Sequence, residues 1–193
     1  MPNGPAVAAP LDIHVLGDPV LRQPTLVVPE VTGELRALAE RMHETMHAAR
    51  GIGLAAPQVG RRERLFVAEV DERKVTLFNP EVVRAEGKAK GEEGCLSIPD
   101  VYADVERPAA VLVRGIGPDG EPVEIEAADL FARCLQHEID HLHGRLFLDY
   151  LSPFKRRSAL AKWEKEKAKY PSLRRALTIE PKDLATQHND EAL

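Results

Sequence analysis

Six residues of this chain, Gln136-His137-Glu138-Ile139-Asp140-His141, place two histidines four apart with a glutamate directly after the first. On a helix His137 and His141 stand one above the other on one face, where two imidazoles can bind a single cation. Glu138 is turned to the side, within reach of a water on that cation. A plain helix with two hydrogen-bonded histidines is compatible with the same letters, so the surroundings must decide. The pattern recurs at His43-Glu44-Thr45-Met46-His47. There Met42 and Met46 flank the histidines on an apolar stripe. No cysteine or glycine-rich loop follows that does not equally serve the later copy. The earlier copy is read as a coincidence on a partly exposed face.

A catalytic cation takes a third protein ligand and keeps a fourth position open. A histidine three residues beyond Gly144 would complete one pattern, but that residue is Phe147. Glu164 and Glu166 lie downstream in a strongly basic segment. Cys95, within Glu93-Gly94-Cys95-Leu96-Ser97-Ile98-Pro99, offers a thiolate from a loop, although a lone cysteine is as much at home as buried filler. Upstream, Gly51-Ile52-Gly53-Leu54-Ala55-Ala56-Pro57-Gln58 is small and apolar, and lets a backbone approach a ligand closely. Gln58 is its one long polar side chain, placed either to donate into a site or merely to satisfy nearby backbone.

The elements that must carry these residues follow from periodicity. Thr32 caps a first helix whose Leu35, Leu38, Met42, Thr45, Met46 and Ala49 recur at helical spacing, ended by Arg50-Gly51. Arg64–Glu69, Val75–Phe78 and Glu81–Glu86 alternate as strands, with a charged turn at 71–73 and a break at Asn79-Pro80. Lys88–Gly94 reads as a polar loop. Val111–Ile116 and Val123–Glu126 form a hairpin around Gly117-Pro118-Asp119-Gly120. The metal-binding helix runs from about Ala128 to Leu142 and stops at Gly144. Leu146–Tyr150 is expected as a short strand. Ser152 and Pro153 open a last helix that runs to about Tyr170. The fold class is α+β: antiparallel strands around a central metal-binding helix, with an N-terminal and a C-terminal helix. Residues 1–10 are expected to be mobile, 11–170 to form one catalytic domain including the helix at about 153–170, and 171–193 to be a tail.

Composition limits the function. A chain of 193 residues, 44% hydrophobic and 30% charged, suits one globular domain with a sizeable core. Two cysteines, Cys95 and Cys134, make no disulfide framework and fit a reducing, cytoplasmic compartment. The first ten residues do not read as a signal peptide, and no apolar run is long enough to span a membrane. The net charge of −5 is uneven. Lys155 to Arg175 holds nine basic residues against two acidic ones, so a polyanionic partner for that segment competes with a plain solvated helix.

Three ordered motifs, Gly51–Gln58, Glu93–Ser97 and Gln136–His141, make the chain resemble the peptide deformylases, over roughly residues 10–170. The resemblance implies that Cys95, His137 and His141 bind the metal. It implies that Gln58 and the Leu96 N–H stabilise an oxyanion, and that Glu138 is the acid/base. Gly53 would contact substrate backbone, with Glu93 and Gly94 beside it. It implies removal of the formyl group from N-formyl-methionyl nascent peptides, with formate released. The cation would be Fe(II) in the cell, with Zn, Ni or Co in purified protein. Ligand types alone suit all four. Leu130, Arg133, Cys134, His137 and His141 share one helix face, which with Ile52 would line a methionine pocket, Arg133 sitting at the rim with its stem along the wall. An arginine found three residues past the proline in some members is Tyr102 here. The helical C-terminus resembles bacterial members, and the family implies work at the ribosome; DNA and membrane partners are not expected. Two rivals remain: an RNA- or ribosome-binding module with a structural metal, and a peptidase cutting unformylated chains.

Overall fold

A computed structural model describes residues 9–177. Most of the N-terminal stretch expected to be mobile, and the tail from residue 178 onward, lie outside the described residues. Strand β1 (Ile13–His14) is followed by helix α1 (Gly33–Ala48) and by strands β2 (Gly53–Ala55), β3 (Leu65–Val70), β4 (Arg73–Glu86), β5 (Ala89–Cys95), β6 (Ile98–Arg107), β7 (Ala110–Ile116) and β8 (Pro122–Ala128). Helix α2 (Asp129–Leu142), helix α3 (Pro153–Glu166) and strand β9 (Arg174–Arg175) complete the order. Strands β2-β3-β4-β7-β8 form one antiparallel sheet, β5-β6 a separate hairpin and β1-β9 a small pair. No helix among the described residues is long and apolar enough to cross a membrane.

β3 explains how two helices share the sheet. Leu65 and Val67 pack with Leu38, Met42 and Met46 of α1. Phe66, Ala68 and Val70 point the other way, to Phe131, Leu135 and Ile139 of α2. Successive strand residues face opposite sides, and here both sides are covered, so the strand reads as a nearly unbroken apolar run. α1 starts as expected, with the Thr32 hydroxyl accepting from the Leu35 N–H. α2 ends at Gly144, whose φ of 70° is left-handed and whose missing Cβ leaves room for the Arg22 carbonyl. α3 starts at Ser152 and Pro153, buries little besides Ala159 and Trp163, and continues as a 3-10 turn over Lys167–Lys169.

Four expectations need correction. Asn79-Pro80 does not end a strand: β4 runs straight through it. Asn79 at φ 49° absorbs a bulge, and its side chain bonds both the N–H and the carbonyl of Val28. Lys88–Gly94 is not a loop but lies largely in β5, whose polar residues are tolerable because its partner is the single strand β6. Phe147–Tyr150 is a 3-10 turn rather than a strand, with the Asp149 carboxylate accepting from the Leu146 N–H. Residues after Pro171 are not all tail, because Arg174 and Arg175 pair with β1.

Candidate metal centre

The cysteine and the two histidines come from elements that no sequence-local rule brings together. β5 and β6 turn over two residues, Leu96 and Ser97, with Cys95 opposite Ile98. Two residues earlier Glu93 faces Ala103, so β6 holds extra chain between those pairs, with Asp100 at φ 62°. This irregularity turns the hairpin tip onto α2. The Cys95 Sγ then lies 3.3 Å from His141 Nε2, and His141 Nε2 lies 3.2 Å from His137 Nε2. All three candidate ligand atoms fall within 4.8 Å of one another, the one such group among the described residues.

The donor set fits a small divalent cation. Bonds of about 2.0–2.1 Å at a tetrahedral centre hold two nitrogens about 3.3 Å apart, close to the spacing seen. His137 Nδ1 donates to Glu93 Oε2 at 2.9 Å, which fixes the tautomer and leaves Nε2 as the ligand atom. The two imidazoles are driven in opposite directions by their surroundings. Burial opposes a proton on His137, but Cys95 and Glu93 outweigh it and raise its pKa well above the ordinary imidazole value. Burial, and then the charge on His137, push His141 well below it.

Behind the ligands stands a buried ion network that sequence reasoning missed. Arg107, at the end of β6, grips both Glu93 oxygens, at 2.5 and 2.9 Å, and sends Nη1 to Asp140 Oδ2 at 2.8 Å. The Tyr150 hydroxyl donates to the other Asp140 oxygen at 2.8 Å. Burial works against charge on Glu93, yet the bonds from His137 and Arg107 hold its carboxyl well below the usual range. A lone arginine in a strand carries no motif; the alternation that buries it was the one available signal. Glu93 and Arg133 were expected to meet substrate, and both do line the cavity described below. Their charged groups, however, face inward. Arg133 Nη1 donates to Glu93 Oε1 and the Val105 carbonyl, and Nη2 to the Ala89 carbonyl, because a buried carboxylate draws every cation within reach. Arg133 therefore ties α2 to the hairpin instead of standing at the rim.

Gln58 sits on a short 3-10 turn, Ala56–Val59, directly after β2. Its Oε1 accepts from the Ala55 N–H at 2.8 Å, which settles the amide orientation. Nε2 is thereby aimed at the centre, 3.6 Å from Cys95 Sγ and 3.2 Å from the Ser97 hydroxyl oxygen. Leu96 contributes its backbone at the hairpin tip beside it. Glu138 is 4% exposed, and its Oε2 has no partner. Burial pushes its carboxyl up to about 7. Gly53 faces it so closely that an added Cβ would lie 2.8 Å from the Glu138 Cδ.

An open cavity of about 500 Å³ adjoins these groups. Ile52, Gly53, Gly94, Leu130 and Cys134 all line it, as do Tyr102 and Leu96. Cys134 is buried and its thiol donates to the Ile52 carbonyl at 3.4 Å, whereas Ile52 and Leu130 are about half exposed. The alternatives for the third ligand fail on geometry. Glu164 and Glu166 pair with Lys167 and Lys169 at the C-terminal end of α3 and are absent from the ligand cluster. Phe147, where a third histidine was sought, stacks its ring on His137. The earlier His-Glu pattern is no metal centre: His43 bonds Thr76 and His47 bonds Glu69. That face is more buried than expected, with His43 only 2% exposed.

Comparison with known proteins agrees with this geometry. The family model described as polypeptide deformylase matches residues 10–157. The peptide deformylase of Hydrogenovibrio crunogenus is 51% identical over 161 residues, 82% of this chain and 95% of that protein. That of Rhizobium meliloti is 48% identical over 157 residues, 78% of this chain and 90% of that one. Among solved structures, a peptide deformylase from Legionella pneumophila superposes with a TM-score of 0.80 at 42% identity, covering 83% of this chain and 96% of that one. One from Synechococcus elongatus, in complex with actinonin, gives 0.77 at 44% identity over 81% and 89%.

Proposed function

The chain belongs to the peptide deformylase family, a family of metal-dependent hydrolases, and from that premise we propose that it removes the formyl group from N-formyl-methionyl nascent peptides, releasing formate. The observation that carries the reading is the convergence of Cys95, His137 and His141 with Gln58 Nε2, which faces the Cys95 sulfur, and with the partnerless Glu138 Oε2 at the cavity wall.

Cys95, His137 and His141 would hold a divalent cation, which when bound would supply Lewis acidity that makes water a competent nucleophile near neutral pH. The protein does the rest. Ile52, Leu130 and Cys134 receive the unbranched methionine side chain, and Gly53 and Gly94 let the peptide backbone come close. As water adds to the formyl carbon, charge builds on the formyl oxygen, where Gln58 Nε2 and the Leu96 N–H donate hydrogen bonds. Glu138 takes the proton from the attacking water and delivers it to the departing amine as the C–N bond breaks. Water and the formamide thus become formate and a free α-amino group. The thiolate donates more charge than a third imidazole would and weakens the Lewis acid, which raises the share of the work left to the oxyanion donors. Soft thiolate with two imidazoles suits Fe(II), Zn, Ni or Co; the family implies Fe(II) in the cell.

The test pairs metal content with formate release. Glu138→Gln is expected to keep its cation and lose almost all formate release from formyl-Met-Ala amide; full activity in that variant would sink the acid/base role. Cleavage of unformylated peptides by the wild-type protein would favour a peptidase. For partners, the exposed Lys155, Arg156, Arg157, Lys162 and Lys165 of α3 support docking on ribosomal RNA in the cytoplasm. Ribosome binding that does not weaken with salt would remove that part of the reading.

A further inference from the structure

The described chain runs on past the residues that the family model matches. The family model ends at residue 157, whereas the described residues continue to 177. Past α3 this chain turns back over its own body. The Tyr170 ring stacks on the buried Trp163, the Leu173 N–H donates to the Tyr170 carbonyl, and Leu173 packs into the cluster that holds Val15 and Ile98. The Val15 N–H donates to the Leu173 carbonyl at 3.0 Å, and β9 then pairs with β1, Arg175 opposite Ile13 and Arg174 opposite His14. Aromatic stacking, apolar packing and a backbone ladder therefore pin this return as a wall.

The wall ends at the active-site cavity. Tyr170 and Arg175 both line it, together with Arg50, which follows the C-cap of α1. Adjacent residues on a strand point to opposite sides, so Arg175 is half-buried in the cavity lining while Arg174 is exposed. Arg175 makes no ion pair among the described residues, and neither does Arg50. The cavity's other cation, Arg133, is held by Glu93 and two backbone carbonyls. Glu92 and Asp100 also line the cavity, so its charge is mixed and the two arginines are what an incoming carboxylate can use.

We infer that Arg175, carried back by β9, is a specificity-determining residue that favours formyl-methionyl peptides bearing an acidic side chain in the residues that follow methionine. The inference rests on the deformylase reading and adds to it a residue outside the family's motifs. A guanidinium offers a planar fork that matches a carboxylate, and a basic side chain in the same place meets a like charge. Because the site is open to solvent, the preference is modest, about two- to fivefold in kcat/KM.

The experiment measures kcat/KM for formyl-Met-Ala-Glu and formyl-Met-Ala-Lys, both as C-terminal amides, and for the same pair with the charged residue moved one place outward. Metal-loaded wild type, Arg175→Ser and Arg175→Glu are compared at low salt. The expected result is a Glu-over-Lys preference in the wild type, lost in Arg175→Ser and reversed in Arg175→Glu, at one of the two positions. The β9 pairing is through backbone, so both variants keep the wall, which circular dichroism and metal content check. Ratios that are the same in all three proteins at both positions overturn the inference while leaving the deformylase reading standing. A wild-type protein that hydrolyses none of the formyl peptides overturns both.

Discussion

Gly53→Ala tests whether Glu138, the proposed acid/base, is held where the proposed mechanism needs it. Gly53 belongs to β2, whose backbone is locked to β3 opposite Ala68, so the strand cannot easily retreat. An alanine Cβ there would stand 2.8 Å from the Glu138 Cδ and 2.9 Å from its Cγ, with the carboxylate oxygen closer still, whereas ordinary contact begins at 3.4 Å. Glu138 is buried on α2 and must withdraw by roughly 0.5–1 Å, and a misplacement of about 1 Å in a reacting group costs about 10²-fold. Crowding a packed site also destabilises, typically by about 1–3 kcal/mol. The expected outcome is a kcat lowered about 100-fold with metal content near one per chain and a lowered urea midpoint. The alanine also lies where substrate backbone would pass, so the cycle with Glu138→Gln separates the two causes. If the loss runs through Glu138, adding Gly53→Ala to Glu138→Gln lowers activity little further. Full additivity of the two losses, or wild-type kcat in Gly53→Ala, would refute the reasoning.

Other outcomes follow from the same contacts. Gln58→Leu removes one of the two proposed oxyanion donors and is expected to lower kcat/KM about 10²–10³-fold, or about 2.7–4 kcal/mol in transition-state binding, with metal content unchanged; a loss under tenfold in steady-state assays would place the oxyanion elsewhere. Arg107→Met leaves Glu93 and Asp140 without their shared cation, and is expected to cost about 3–5 kcal/mol of stability and about 10–100-fold in cation affinity; unchanged cobalt titration curves would remove Arg107 from support of the centre. Asp149 gives a stability term with a defined pH sense. Burial opposes its charge, but Arg22 and the Leu146 N–H hold its carboxyl below the ordinary 3.8. A lowered folded-state value means the stabilisation is complete above the unfolded value and fades as pH falls through the folded one. Asp149→Asn is therefore expected to be less stable than wild type at about pH 5 and to lose less between about pH 5 and about pH 3, and parallel urea midpoints over that range would contradict the assignment.

How far the site was legible depended on how local its parts are. His137, Glu138 and His141 are set by one helical turn, so their spacing alone put them on neighbouring positions, and the structure keeps them there. Cys95 was legible as a candidate by residue type and flanking glycine, while its partnership with α2 rested on family resemblance. Gln58 could be named but not aimed: its direction comes from the Ala55 N–H, a bond three residues away that no composition rule specifies. β5 looked like a loop because its residues are polar, and polarity predicts exposure, not the absence of a pairing partner. Asn79-Pro80 looked like a break because proline lacks an N–H, yet a bulge tolerates it.

By itself, then, the chain's order of residues determined whatever lies within a turn of helix or along one strand: the caps at Thr32 and Ser152, the stop at Gly144, the paired imidazoles and the alternating apolar faces. Tertiary structure alone decided which distant parts meet. It set the hairpin irregularity that swings Cys95 onto α2, the Arg107 bridge from Glu93 to Asp140, and the return of β9 that carries Arg175 to the cavity. The physical reason is that local periodicity follows from backbone geometry, whereas strand partners and buried charge pairs are settled by the whole chain's competition to cover apolar surface and leave no ion without a counter-charge.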